Sequence, residues 1–160
     1  LAAYGPAPPE TFDAWLSRNS NKKSTLKGWF ASLGEQIVEV KVEDETRYLL
    51  AEHEDELAAT QPSRTTHLLG AFDQFVLGPG TKDTHMLPSE HRSRVSKAAG
   101  WIAPVLTQGG RITGVWKLDD GNLVVTPFPG EQVPPSAVLE DAAARLSSVH
   151  GLVKVTLRAE

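Results

Sequence analysis

Apolar residues near the start of the chain recur with the spacing of two amphipathic helices. The first helix follows Pro8-Pro9, a pair suited to a first helical turn, and its apolar face consists of Phe12, Trp15 and Leu16. A polar segment at 17–21 separates it from a second helix, whose stripe at i, i+3, i+4 and i+7 consists of Leu26, Trp29, Phe30 and Leu33. Ser24 is the expected N-cap of this helix and Gly34 its stop. We expect Trp15 and Trp29 to lie in the core.

A β-hairpin is predicted to follow. Valines alternate with charged residues over 38–43, an acidic turn comes at 43–46, and residues 47–51 return as the partner strand. Two short helices and a hairpin in this order are typical of the back of a winged helix. Residues 1–59 are therefore predicted to form a winged-helix unit that lacks its first helix in full, as expected of a fragment of a larger protein. The unit closes with a short acidic helix at 53–59, and the polar segment 60–66 is the predicted linker.

The second half of the chain is predicted to be rich in β-structure. The apolar segment His67–Leu77 is expected to form a strand or strand pair, and Pro88–Ala98 a helix. Three further segments form a meander over 102–107, 111–118 and 123–128, with glycine-containing turns between them. A helix from 136 to about 148 and a strand over 152–157 complete residues 67–160. This order of elements predicts an α+β fold.

Composition and charge narrow the classes of function. Hydrophobic residues make up 40% and charged residues 22% of the 160, as in ordinary globular proteins. The absence of cysteine excludes disulfides and thiol catalysis and fits a reducing compartment, so we expect a cytoplasmic protein. No apolar run reaches the ~20 residues of a membrane span, so no membrane is expected as a partner. The net charge of −4 argues against strong autonomous DNA binding, because phosphate neutralisation supplies most of that affinity.

Four motifs in the second half occur in the order known from one family. They are His67–Gly78, Pro88–Val95, Gly100–Val105 and Gly109–Trp116, which resemble LLPAFDxxLLG, PEHRxRV, GWFxPVV and DGRVVGTW. These are motifs of winged-helix DNA-binding proteins related to the AlkZ-like DNA glycosylases, and Tyr4–Pro8 is similar to the lead-in to that family's last winged helix.

The resemblance implies tandem winged helices followed by a barrel-like domain, of which this chain matches the C-terminal part only. The full prediction is thus an α+β chain with a winged helix at 1–59 and a β-rich, barrel-like α+β domain at 67–160. Double-stranded DNA is the implied partner. Glycosylase members excise alkylated or crosslinked bases with a glutamine motif upstream of the matched part, so the resemblance assigns no catalytic residue to this chain.

The second predicted helix is the candidate recognition helix. Polar side chains around its start are suited to phosphates and bases, and they are Asn21, Lys22, Lys23, Ser24 and Lys27. Arg111, at a hairpin edge, is a further candidate for DNA contact. The alternative is a solvated face that contacts proteins, which the acidic turn at 43–45 favours because like charge repels phosphate.

A second constellation is interpreted as structural, with an acid/base or nucleic-acid-positioning cluster as the alternative. Asp73 lies within the predicted apolar strand, and a buried carboxylate there requires partners, for which the neighbouring helix offers His91, Arg92 and Arg94. A carboxylate beside arginine has a lowered pKa, which suits an anchor better than a proton donor. The histidines lack metal-ligand spacing and no phosphate-loop motif occurs, so neither a metal nor another cofactor is expected. Trp101 and Trp116 are predicted core residues, with stacking on a base as the alternative.

These observations leave three hypotheses about function. The chain is a DNA-binding winged-helix part that supplies duplex contact or a scaffold, or a part of a DNA glycosylase whose catalytic motif lies upstream, or a protein-interaction module without DNA contact.

Overall fold

A computed structural model describes the backbone of residues 1–150 and 154–157 and the side chains of residues 1–146. Contacts between Cα atoms divide the chain into two compact units. Unit 1 consists of Leu1–Gln61 and Phe75–Gly80, and unit 2 of Pro62–Gln74 and Thr81–Glu160. Helices and antiparallel strands are both prominent, so the chain is α+β. In the described part, every helix is too short or too polar to cross a membrane.

Unit 1 contains the predicted pair of helices and the hairpin. Its elements are α1 (Pro9–Ser17), α2 (Lys23–Leu33), β1 (Ile37–Val42), β2 (Glu45–Leu50) and α3 (Glu54–Ala59). The strands pair antiparallel from Ile37↔Leu50 to Val42↔Glu45, which confirms the predicted hairpin. Ala7 adds a third, one-residue strand, because its amide and carbonyl both exchange hydrogen bonds of 3.0 Å with Tyr48 of β2.

The core of unit 1 is formed by one side of α2 and the hairpin. Leu26 and Phe30 are buried, and the Phe30 ring packs edge-on against Tyr48 with the ring centroids 5.2 Å apart. The prediction that Trp15 and Trp29 lie in the core is wrong, since they are 49% and 44% exposed. The predicted stripes are wider than the surface that so small a unit can cover, so only the side nearest the hairpin is buried.

The start of α2 also differs from the prediction. Lys22, not Ser24, occupies the N-cap position, and no side chain makes a capping hydrogen bond there. Ser24 lies within the first turn and is exposed.

Unit 2 is built on a five-stranded sheet with a helix against it. The strands, in sheet order, are β3 (Thr66–Leu69), β4 (Val105–Gln108), β5 (Arg111–Asp119), β6 (Asn122–Pro127) and β7 (Lys154–Leu157). β3 to β6 pair antiparallel, whereas β7 pairs parallel to β6 after the crossover helix α6 (Ser136–His150), as parallel neighbours require. The final predicted strand is thus found at 154–157, and residues 152–153 lie outside the described part.

The predicted meander is confirmed, and its turns follow from their residues. Gly109 and Gly110 have φ of +56° and +81°, and Asp120 and Gly121 have +47° and +75°. Two successive positive φ values match the twist of a hairpin, and glycine adopts them at no steric cost.

The core of unit 2 lies between the sheet and α6. Leu106, Leu123, Val125 and Leu139 are fully buried at its centre. The indole of Trp116 is 7% exposed and donates a hydrogen bond of 2.9 Å to the carbonyl of Leu69, which confirms Trp116 as a core residue.

Two predicted segments of the second half are wrong in part. The strand predicted at His67–Leu77 ends at Leu69, and a short helix, α4, occupies Gln74–Leu77. A short apolar run fits either period, and the turn that contains Phe72, with φ of +58°, separates the two elements. Asp73 therefore lies half-buried in this turn and not inside a strand.

The helix predicted at Pro88–Ala98 is also shorter. It is reduced to a 3₁₀ turn at Ser89–His91 and a single turn, α5 (Arg92–Val95). Ser96 is extended because it pairs with Ile102, which ends the helix. The prediction that Trp101 belongs to the core is wrong, since its side chain is 52% exposed.

Candidate nucleic-acid interface

The connection between α1 and α2 is held by a buried carboxylate. Asp13 is 3% exposed, and its Oδ1 accepts hydrogen bonds from Ser17 Oγ and from Asn21 Nδ2, the latter at 2.6 Å. Asn21 Nδ2 also donates to Ser17 Oγ at 2.7 Å. The hydrogen bond from Ser17, followed by that from Asn21, lowers the pKa of the Asp13 carboxyl below its ordinary value. The ionised Asp13 thus ties the end of α1 to the start of α2.

This arrangement changes the role of Asn21. Its amide nitrogen donates to Asp13 and Ser17, so the side chain helps to position the start of α2, and its contact with DNA stays a prediction. Asp13 and Ser17 were not among the predicted site residues. Their spacing of i and i+4 on α1 was the available signal, because residues four apart share one side of a helix.

The lysines at the start of α2 are exposed. Lys22 is at the N-cap, Lys23 and Ser24 follow in the first turn, and Lys27 lies one turn further on. The first turn contains no acidic residue. The unpaired amides of a helix start and its macrodipole add positive potential to that of the lysines. This end of α2 is therefore suited to an anionic ligand such as a phosphate group.

Lys23 and Lys27 also border a groove of about 510 Å³ within unit 1. Leu26 and Phe30 of α2 form part of its lining, and Glu10 and Glu39 contribute carboxylates. The Tyr48 hydroxyl donates a hydrogen bond of 3.1 Å to Glu39, which raises the pKa of Tyr48. The groove is thus cationic where α2 contributes to it and anionic at Glu10 and Glu39.

The hairpin turn has the opposite charge to α2. Glu43 and Asp44 form the turn, and Glu45 follows it. The Arg47 guanidinium pairs with Glu45 at 3.0 Å, and Lys41 Nζ donates a hydrogen bond to Thr46. The cations of the hairpin are thus engaged within it, and its tip repels phosphate.

Arg111 belongs to unit 2, where it is exposed as the first residue of β5. A backbone hydrogen bond lowers the pKa of Glu90, and the charges of His91 and Arg111 act in the same direction. The positive charge of Arg111 thus favours the ionised form of Glu90.

The residues of the predicted structural cluster occupy different environments. His91 is buried, with its ring centroid 4.4 Å from that of Phe128, whereas Arg92 is exposed. Asp73 and Arg94 are half-buried, and their grouping with His91 stays a prediction. Among the described residues, no three His, Asp or Glu side chains converge as metal ligands.

Comparisons with known proteins agree with the motifs of the second half. The family model of the AlkZ-like DNA glycosylases matches residues 1–149. An interstrand DNA cross-link repair glycosylase of Streptomyces sahachiroi is 50% identical over 158 residues, which are 99% of this chain and 43% of that protein. The solved structure of the DNA glycosylase AlkZ of Streptomyces sahachiroi is 49% identical, with a TM-score of 0.93, over 99% of this chain and 43% of that one.

The chain thus spans less than half the length of these relatives. The family match nevertheless covers almost all of its 160 residues. On this evidence, the chain belongs to the AlkZ-like DNA glycosylase family.

Proposed function

We propose that this chain is a DNA-binding part of a DNA glycosylase that repairs cross-linked DNA, and that α2 contacts the duplex. The observation that carries the proposal is the set of exposed lysines at the start of α2, Lys22, Lys23 and Lys27, in a chain whose family members act on DNA bases. Lysines there are placed to neutralise phosphates, and Ser24 beside them is placed to donate a hydrogen bond to one.

Unit 1 is proposed to be a winged helix at 1–59. The paired Ala7, the two helices and the hairpin follow one another as do the first strand, second helix, recognition helix and wing of that fold. Residues 60–66 are the proposed linker. The domain at 67–160 is proposed to be barrel-like, supported by the contacts of α6 with both edge strands of the sheet, β3 and β7.

The catalytic groups are proposed to lie outside these 160 residues. This chain covers 43% of the cross-link repair glycosylase that it resembles, and no residue in it matches the family's catalytic glutamine motif. A protein that contains this chain is expected to release bases from an interstrand cross-linked duplex, whereas the chain alone is expected to release none. Denaturing gel electrophoresis of a labelled cross-linked duplex separates these outcomes.

The duplex contact is tested by fluorescence anisotropy of the chain on short labelled duplexes at low and physiological salt. Reversal of the three lysines, K22E/K23E/K27E, is expected to abolish a binding that weakens steeply with salt. The matched control reverses three exposed cations of unit 2, R64E/K82E/K117E, with the same change in net charge. Equal loss of binding in both triple variants would show that overall charge, and not α2, governs the affinity.

A second function, protein interaction, is favoured by the acidic hairpin tip and by the exposed acidic helix α3. These surfaces suit a basic protein partner. If the chain does not bind duplex DNA even at low salt, this function takes precedence over the duplex contact.

A further inference from the structure

Two aromatic side chains of unit 2 form an exposed pair. Phe72 is 42% and Trp101 52% exposed, and their ring centroids are 5.0 Å apart at an interplanar angle of 83°. Large aromatic rings contribute most to stability when buried, so this exposure forgoes stabilisation of the fold. In an edge-to-face pair, one ring presents its edge to the other, so its partner covers neither of its faces.

The backbone around the pair adopts conformations that side chains disfavour. Phe72 has a φ of +58° and Ala99 one of +55°. An aromatic residue is rare in this left-handed region, and such strain persists only where the surrounding structure imposes it. The amide of Lys97 donates a hydrogen bond of 2.8 Å to the carbonyl of Trp101, which closes the loop that carries the tryptophan. The backbone on both sides of the pair therefore adopts a defined, disfavoured conformation.

Positive charge is concentrated in the same part of the chain. Residues 91–105 contain three Lys and Arg and no Asp or Glu, in a protein whose net charge is −4. Lys97 directly precedes the Trp101 loop, and the carbonyl of Arg92 accepts a hydrogen bond from Ser96 at 2.8 Å. Both side chains are exposed. The loop that carries Trp101 thus has exposed cations close to it in the sequence, and such cations attract a polyanion.

We infer that Phe72 and Trp101 form a stacking platform for an unpaired nucleobase, whose flanking phosphates Lys97 and Arg92 attract. Aromatic faces beside a cationic track are the combination that holds single-stranded nucleic acid without regard to sequence. A base-excising enzyme extrudes a nucleotide, which leaves unpaired bases in both strands. This platform is distinct from the proposed duplex contact of α2, since it belongs to unit 2 and accepts unpaired bases.

The test uses fluorescence anisotropy of the whole chain on a labelled oligothymidylate, on a duplex with one bulged base, and on a fully paired duplex. Trp101→Leu keeps an apolar side chain without an aromatic face, and it is expected to weaken binding of the first two probes about 5- to 150-fold, the effect of one lost stack. Trp101→Phe is expected to retain most of the affinity. Lys97→Gln is expected to reduce the dependence of log K on log salt by about 0.7 for the single strand.

Trp15→Leu is the matched control, because Trp15 is 49% exposed but belongs to unit 1. It is expected to bind every probe as the parent does, and thermal unfolding of each variant verifies folding. The α2 variant K22E/K23E/K27E is expected to lose the paired duplex and to keep the single strand, so the two proposals fail separately. Three results would refute the platform. Trp101→Leu could bind the oligothymidylate as tightly as the parent, or the parent could fail to bind it even at low salt. The parent could also form a dimer that Trp101→Leu dissociates, which would make the pair a protein contact.

Discussion

Replacing Asn21 by alanine removes two donated hydrogen bonds from the connection between α1 and α2. Asn21 Nδ2 lies 2.6 Å from Asp13 Oδ1 and 2.7 Å from Ser17 Oγ. A hydrogen bond contributes about 1 kcal/mol net to the free energy of unfolding, so Asn21→Ala is expected to lower that free energy by about 2 kcal/mol. With a denaturant dependence of about 1–2 kcal/mol per molar urea, the unfolding midpoint falls by about 1–2 M.

The same substitution is expected to change the pH dependence of stability. The pKa of Asp13 is lowered in the folded protein, so the unfolded chain binds more protons between the two pKa values and stability is lost as the pH falls through the folded value. Removal of the Asn21 donor moves the folded pKa of Asp13 back towards its ordinary value, while the hydrogen bond from Ser17, the largest cause of the shift, remains. The stabilities of Asn21→Ala and the parent therefore converge as the medium is acidified.

Urea unfolding at pH 7 and at about pH 3, followed by tryptophan fluorescence, measures both effects. Ser20→Ala is the control, because Ser20 is exposed in the same connection. The reasoning is refuted if Asn21→Ala unfolds with the same midpoint as Ser20→Ala, or if its loss of stability is equal at both pH values.

Three further substitutions are expected to change thermal or urea unfolding in defined directions. Gly114→Ala places a Cβ 2.7 Å from the Thr126 carbonyl oxygen, a backbone atom that cannot move freely, and is expected to lower the unfolding free energy of unit 2 by about 1–3 kcal/mol. The Cβ added by Gly28→Ala, inside α2, meets no atom within 4 Å, so this substitution is expected to raise the free energy of unfolding by about 0.5–1 kcal/mol. A lower melting temperature would contradict this expectation. Leu139→Ala empties a fully buried position between α6 and the sheet and is expected to cost about 2–5 kcal/mol, with an unchanged urea midpoint as the contrary result.

Local patterns were sufficient where a segment has one favourable period and a turn with a defined geometry. The alternating valines of β1 and the glycines between β4 and β5 are examples, and both hairpins are found where they were predicted. The segment His67–Leu77 lacked such a signal, because its short apolar run fits a strand and a helix equally. Phe72, in the turn between the two elements, contacts Trp101, which is remote in sequence.

The geometry of the candidate site depended on the tertiary structure. The exposure of Lys22 and Lys23 does not follow from the helical period, since they precede Leu26 by four and three residues and so lie on its side of α2. They are exposed because they lie at the very start of the helix. The hydrogen bond of Asn21 does not follow from the helical period either, because Asp13 comes eight residues earlier and reaches Asn21 only once α1 and α2 have packed.

The sequence by itself determined the α+β class, the two hairpins and the resemblance that the family comparison bears out. These properties depend on neighbouring residues, whose periodicity and turn chemistry act before the chain is packed. The tertiary structure alone decided which tryptophans are exposed, which partner Asn21 has and where Phe72 meets Trp101. Each of these depends on surfaces brought together from distant segments, and burial is determined by how much of a side chain those surfaces cover.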